Sequence, residues 1–372
     1  MRGTRTDVGT VDDLHASATR LTGLDDFGED DYREGLGVLL RAYREQAALT
    51  PVGSRMSRSL LRAALVSRLL SEVGWRQFPE HAGVAVRRPV FVTGLPRTGT
   101  TALHRLLAAD PAHQGLELWL TEAPQPRPPR ATWDGNPVYA MLRDEYARVS
   151  PSLIGAHHIA ADQVEECWRL LRQSMMSVSF ECLAYLPSYA EWLAGQDWTA
   201  AYRRHRRNLQ LIGLPDRERR WVLKNPSHLF ALDALLAAYP DAVVIQTHRA
   251  PRTVIASVCS LNAKATAGWS SLFQGEVLGR AQLALWSRGL REFAASRARH
   301  DPAHFIDVDY DDFVADPRAT VEMIYERLGT PLDPSVVAAW QAPPRGPAHR
   351  YDLADFGLTE AEVDAAFPVR GR

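Results

Sequence analysis

Apolar positions along this chain switch between two spacings. Over residues 9–24, 28–50 and 60–73 they recur three and four apart, which predicts three helices; in the last, Leu60, Leu61, Ala64, Leu65 and Leu69 share one side. The run from Val90 to Thr93 is then continuously β-branched or aromatic and predicts a buried strand. A Gly/Pro turn follows, and Ala102, Leu103, Leu106 and Leu107 return to helical spacing. The same order recurs downstream. Residues 221–224 predict a strand, Asn225-Pro226-Ser227 a turn, and residues 229–239 a helix stopped by Pro240-Asp241. Residues 242–247 predict another buried strand, with a further helix after Pro251. A long helix over 276–298, a strand over 304–308 and a helix over 313–328 with a Gly329 stop complete the pattern. Between the two halves, 124–129 predicts an extended Pro-rich loop, while 137–149, 162–180 and 198–212 predict helices. Residues 331–372 predict a Pro-rich tail ending in an acidic helix, and no internal repeat is evident.

Strands alternating with helices define an α/β expectation: a P-loop-like parallel sheet flanked by helices, with a helical N-terminal extension. We expect one domain over 1–372, with a helical layer at 1–85, an α/β core at 86–330 and a tail at 331–372. Such sheets bind ligands at the carboxyl ends of their strands. Gly94, Lys224 and Arg249 each fall at or just beyond an expected strand end.

The chemistry concentrates there. In Gly94-Leu-Pro-Arg97-Thr98-Gly99-Thr100-Thr101, a glycine loop joins a strand to a helix N-terminus, where free N–H groups and the positive helix end make an anion cradle. Gly94-x4-Gly99 has nucleotide P-loop spacing, yet Thr100 stands where that motif requires lysine. Arg97 supplies the positive charge instead, so the loop should hold a phosphate without standard ATP hydrolysis. The plainer alternatives are a surface arginine in a turn and three N-capping threonines. Downstream, a strand ends in Arg249, and Ser257 follows eight residues later on the next helix. A guanidinium fork with a hydroxyl suits a phosphomonoester.

Together these segments resemble the sulfotransferases that use 3′-phosphoadenosine 5′-phosphosulfate (PAPS), over roughly residues 86 to 330. The glycine loop is similar to that family's 5′-phosphosulfate loop, and Arg249 with Ser257 to its 3′-phosphate site. The resemblance implies that Arg97, Thr98, Gly99, Thr100, Thr101, Arg249 and Ser257 hold PAPS and its product 3′,5′-ADP (PAP). It implies a role for Lys224 in stabilising charge on the bridging oxygen. The base stays open. His228, four residues after Lys224, is the first candidate, and Glu117, in the region where tyrosylprotein sulfotransferases carry a glutamate, the second. Glu122 lies in that same region, and His104, His157, His158 and Glu166 share the rest. No metal is required, because fixed cations and dipoles can neutralise the charge. The family's C-terminal Arg-Lys-Gly segment has no counterpart, leaving Arg345-Gly346 or His349-Arg350-Tyr351 as substitutes.

Composition narrows the picture. A net charge of −1 argues against nucleic acid or an anionic membrane as partner. No apolar run approaches the roughly 20 residues of a membrane span, and residues 1–31 lack an apolar signal core. Cys167, Cys182 and Cys259 show neither metal spacing nor a disulfide framework, so the cytoplasm is the expected compartment. Lys224 and Lys264 are the only lysines in an arginine-rich chain, which gives a lysine at a core strand end extra weight. Trp168, Trp192, Trp198, Trp269 and Trp286 read as core or lid packing, and Arg203, Arg204, Arg206 and Arg207 as a solvated helix face, with a patch for an anionic acceptor or partner as the alternative. The expected acceptor is a small-molecule hydroxyl on a natural product, lipid or phenol, bound by residues 110–215 and 262–280; a sugar, a peptide and a homodimer stay open. Two rival functions remain. An atypical ATP-using P-loop kinase would need a loop lysine and an acidic Mg²⁺ ligand such as Asp307 or Asp309. The other is a nucleotide-binding scaffold without catalysis.

Overall fold

The computed structural model describes residues 7–149, 159–338 and 352–367. Among them, five parallel strands form one sheet: β1 (Val90–Gly94), β2 (His113–Gln114), β3 (Arg220–Lys224), β4 (Val243–His248) and β5 (Phe305–Asp309), in the order β2-β3-β1-β4-β5. This is the expected α/β architecture, with helices on both faces. The two-residue β2 is too short to leave a periodic signal and was not foreseen.

β1 sits between β3 and β4, with Val90 opposite Val222 and Val243, and Val92 opposite Lys224 and Ile245. All five of its residues are buried. Val90 and Val92 face one apolar cluster with Leu103, Leu107 and Ile324, whereas Phe91 faces the other with Leu209, Leu223 and Tyr239. A strand covered on both faces reads as an unbroken apolar run, which is why β1 was legible. Each such aliphatic side chain contributes roughly 1.5–3 kcal/mol by burial. A carboxylate at Val90, between Val222 and Val243, would therefore lose that term and sit without a partner.

The N-terminal layer starts with Val11–Thr22, where Thr10 and Asp13 form a capping box. Arg33–Glu45 and the 27-residue helix Pro51–Gln77 follow. The last begins well before the expected residue 60. Its signal is a cap rather than periodicity: Thr50 Oγ1 accepts from the Gly53 amide at 3.1 Å, with proline at the first helical position. Such a cap contributes about 1 kcal/mol. A Cβ at Gly53 would lie 1.9 Å from the Trp269 carbonyl oxygen, so even alanine would force these backbones apart.

Inside this layer Arg68 is fully buried and donates to the carbonyls of Phe27, Glu29 and Gln173 and to Asp31. Arg204 is buried too and meets Glu72 at 2.8 Å. Of the basic stretch, Arg203, Arg206 and Arg207 are exposed, as a solvated helix face requires, and Arg204 alone turns inward. Arg204, buried on a carboxylate, builds the interior instead, while the exposed Arg207 lays its guanidinium 4.0 Å from the Trp75 ring centroid.

Three other expectations change. Only Trp168–Arg172 is α-helical within 162–180, where Glu165 bonds out of line to the Leu116 carbonyl and Met175 takes a left-handed φ of 54°. The 313–328 helix is two helices, Tyr310–Ala315 and Pro317–Leu328, split where Asp316 precedes a proline and caps the second. The 229–239 helix is a 3₁₀ turn, Pro226–Phe230, followed by Leu232–Ala238. The tail's acidic helix, Glu360–Ala366, is present, and Arg252 pins it through Glu360 and Asp364.

Candidate active site

Three neighbouring strands end at one cavity of about 720 Å³. β1 runs into the glycine loop through Gly94, whose φ is 141° and where a Cβ would stand 2.5 Å from Thr247 Oγ1. Gly99, at φ 83°, leads into the helix Thr100–Ala108, which no side chain caps. Gly99, Thr100 and Thr101 line the cavity at this helix start, the place where the sequence leads us to expect an anion cradle.

Arg97 donates from Nε to Ser257 Oγ at 3.2 Å. Arg249 donates from Nη1 to the Arg97 carbonyl at 3.0 Å, and its guanidinium lies 3.9 Å from the Tyr310 ring centroid. The loop cation and the downstream Arg/Ser pair, more than 150 residues apart in sequence, are therefore in one cluster. Thr98 differs from its loop neighbours. Its hydroxyl donates to the Leu95 carbonyl at 2.6 Å and meets Thr247 Oγ1, so this side chain fixes the loop rather than lining the cavity.

Lys224 ends β3 fully buried. Its Nζ pairs with Glu166 and donates to Thr101 Oγ1 at 3.3 Å. Glu166 lines the cavity, placed there by two backbone bonds: the Glu165 amide to the Leu116 carbonyl at 2.8 Å, and the Cys167 amide to the Lys224 carbonyl at 3.1 Å. These bonds lay an irregular segment across the ends of β2 and β3. Periodicity cannot report such a segment, and the acidic pair Glu165-Glu166 ahead of Cys167 was its only sequence trace.

The two leading base candidates lie elsewhere. His228 is buried among rings, its Nδ1 2.6 Å from the Tyr202 hydroxyl and its ring edge-on to Phe91 with centroids 5.0 Å apart. Burial, with His205 nearby, holds it well below the usual histidine range, and it does not line the cavity. Glu117 accepts from Arg127 at 3.1 Å and is likewise away from the lining. Glu122 is engaged by Arg169 and by Tyr146. His104 faces the Val222 carbonyl, and burial beside Lys224 pushes it down to about 3. His157, His158, Arg345-Gly346 and His349-Arg350-Tyr351 lie outside the described residues. Of the five tryptophans, Trp168 and Trp286 line the cavity. Arg172, Tyr310 and Phe313 also line it, though sequence reasoning did not single them out.

A glycine loop opening an uncapped helix, a guanidinium–hydroxyl pair and a strand-end lysine thus gather at one edge of the sheet, and the comparisons with known proteins place the chain in a family. The model of the sulfotransferase family matches residues 89–334, and the chain belongs to that family. The chain is 58% identical to the sulfotransferase STF1 from Mycobacterium tuberculosis, whose crystal structure superposes with a TM-score of 0.92 over 98% of this chain and 99% of that one. The sulfotransferase STF9 from Mycobacterium avium is 27% identical, with a TM-score of 0.85 over 98% and 96% of the two chains. The omega-hydroxy-beta-dihydromenaquinone-9 sulfotransferase Stf3 from Mycobacterium bovis is 27% identical over 248 residues, a match spanning 65% of this chain and 62% of that protein. No helix among the described residues is long and apolar enough to cross a membrane.

Proposed function

We propose that this chain transfers a sulfuryl group from PAPS to the hydroxyl of a small, largely apolar acceptor. The observation that carries the reading is the Arg97–Ser257–Arg249 cluster beside an uncapped helix N-terminus. Two guanidinium groups, a hydroxyl and unsatisfied N–H groups fit a nucleotide with phosphates at its 3′ and 5′ positions. When bound, PAPS supplies the sulfuryl group, its sulfur–oxygen bond to the 5′-phosphate breaking as the acceptor oxygen bonds to sulfur.

The chain's own residues divide the work. Thr100, Thr101 and the helix N-terminus hold the phosphate that departs, and Arg97 neutralises it. Lys224 spans the two halves of the site, with Thr101 on the donor side and Glu166 on the other. Its ammonium stabilises charge that develops on the leaving oxygen. Glu166 takes the acceptor proton, in place of His228 and Glu117, because it is the carboxylate that both lines the cavity and touches Lys224. Trp168, Leu183, Leu261 and Trp286 give the acceptor end apolar walls, which suit a lipid or natural-product alcohol. The three cysteines are buried and unbridged, which is in keeping with a cytoplasmic reaction.

Calorimetry with PAP and with ATP tests the donor. PAP should bind and ATP should bind far more weakly; the reverse order would sink the reading in favour of a kinase. A mass-spectrometric screen of hydroxyl acceptors with PAPS should then find one that gains a sulfuryl group.

A further inference from the structure

Resting on the sulfotransferase reading, one side chain at the acceptor end of the cavity stands out by its charge balance. Four other arginines of the interior meet carboxylates: Arg68 with Asp31 at 2.6 Å, Arg127 with Asp216 at 2.8 Å, Arg169 with Glu122 at 2.5 Å and Arg288 with Glu181 at 3.0 Å. Arg172 does not. It ends the helix Trp168–Arg172 and lines the cavity. Its Nε donates to Ser179 Oγ at 2.8 Å, and its guanidinium carbon lies 5.6 Å from the Phe180 ring and 6.0 Å from the Trp168 ring. Among the described residues Arg172 has no ion-pair partner, and Nη1 and Nη2 donate to no protein atom.

A guanidinium in such surroundings is costly unless an anion meets it. Burial and the neighbouring Arg169 lower Arg172 to about 10, so it stays charged at neutral pH. Ser179 and the two rings fix the fork in place, leaving its Nη edge for a two-pronged contact. The charged groups that act on it are Arg169 and Glu122, and none belongs to the Arg97–Ser257–Arg249 cluster. Its own contacts, Ser179, Phe180 and Trp168, are separate from the residues that hold the nucleotide in this reading.

We infer that Arg172 is a specificity-determining residue that binds an oxyanion carried by the acceptor itself, so that the physiological acceptor is an apolar alcohol bearing a carboxylate or a phosphate monoester. The hydroxyl and the acid occupy different parts of one cavity: the hydroxyl beside Glu166 and Lys224, the acid at Arg172. An acceptor anchored at two points presents its oxygen in a defined direction, and an analogue without the acid leaves Arg172 unpaired.

The test uses matched acceptors with PAPS: ω-hydroxylaurate, its methyl ester and the monophosphate of the corresponding diol, together with p-hydroxyphenylpropionate and its methyl ester. The wild-type enzyme should favour an oxyanion over its neutral counterpart in kcat/KM. Arg172→Gln should lower kcat/KM for that oxyanion by roughly tenfold to a hundredfold while leaving the ester unchanged. Whether carboxylate or phosphate gains more identifies the group. If no oxyanion exceeds its neutral counterpart, or if Arg172→Gln keeps the preference, the inference is overturned. Calorimetry with PAP on both proteins is the control. Binding to both shows that fold and donor site are intact and isolates the result to Arg172. Failure of PAP to bind the wild type removes the sulfotransferase reading, and this inference with it.

Discussion

The two ends of the cavity are built by different means. The donor end consists of strand ends and helix starts: the loop after β1, the helix Thr100–Ala108, and Arg249 and Ser257 around the start of Pro251–Ala265. The acceptor end draws on residues 159–183, in which Trp168–Arg172 is the only α-helix among the described residues, and on Leu261 and Trp286 from two longer helices. Regular elements place backbone N–H groups reproducibly, which a fixed nucleotide needs. Irregular segments place individual side chains, which a variable acceptor needs. One scaffold can therefore keep its donor while its acceptor diverges. Lys224 is where the ends meet, since its Nζ touches Thr101 on one side and Glu166 on the other.

The largest effect should come from cutting that joint. Glu166→Gln keeps the shape and removes the base, and kcat should fall by roughly 10²–10⁴. PAP affinity, read by calorimetry, should not change. Lys224→Met should lower kcat by about 10²–10³. The double variant should cost little more than Glu166→Gln, because the two groups act as a unit. Full activity in Glu166→Gln would return the base to another group and dissolve the division of labour between the ends.

Next comes a variant confined to the donor end. Arg97→Gln removes a charge from the nucleotide cluster and should weaken PAP binding by roughly tenfold to a hundredfold. The KM for the acceptor should stay as it was. A matching rise in acceptor KM would show that the two ends are not separable.

The same contrast explains what the sequence could reveal. Val90 to Thr93 sits between two strands with both faces covered, so its apolar run is continuous and visible. Arg97, Arg249 and Ser257 sit near strand ends, where the family resemblance drew attention to them, though only the fold brings them together. Glu166 owes its position to two backbone bonds from partners at Leu116 and Lys224, a long-range pairing with no local pattern. His228 was misleading for a related reason. Its distance from Lys224 in sequence is short, but the 3₁₀ turn Pro226–Phe230 carries the ring under the sheet toward Tyr202 and Phe91. Arg172 was hidden inside an expected helix whose actual extent is five residues.

His228 then offers a test that separates structure from catalysis. His228→Leu leaves the Tyr202 hydroxyl buried without its partner, and stability to urea should fall by about 1–3 kcal/mol at pH 7. Saturated with donor, the folded variant should keep its kcat. A depressed histidine stabilises the fold above its unfolded pKa of 6.5 and loses that contribution as the pH falls. The gap between wild type and variant should therefore narrow from pH 7 to pH 5. A kcat collapse with unchanged stability would restore His228 as the base.

The smallest effect tests how the donor end is organised internally. Ser257 is buried and accepts from Arg97 Nε at 3.2 Å. The hydroxyl has two tasks: it orients the guanidinium, and it can donate its own proton to a phosphate oxygen. Ser257→Ala removes both, at a net cost of about 0.5–1.5 kcal/mol in PAP binding, since Arg97 keeps its charge. If orientation dominates, the loss should vanish in an Arg97→Gln background, because no guanidinium remains to be aimed. If the hydroxyl contacts the nucleotide directly, the two losses should add. Calorimetry on the four proteins gives the coupling. A coupling near the full Ser257→Ala effect makes this serine a positioning residue for Arg97. A coupling near zero makes it a ligand in its own right, as expected for the 3′-phosphate.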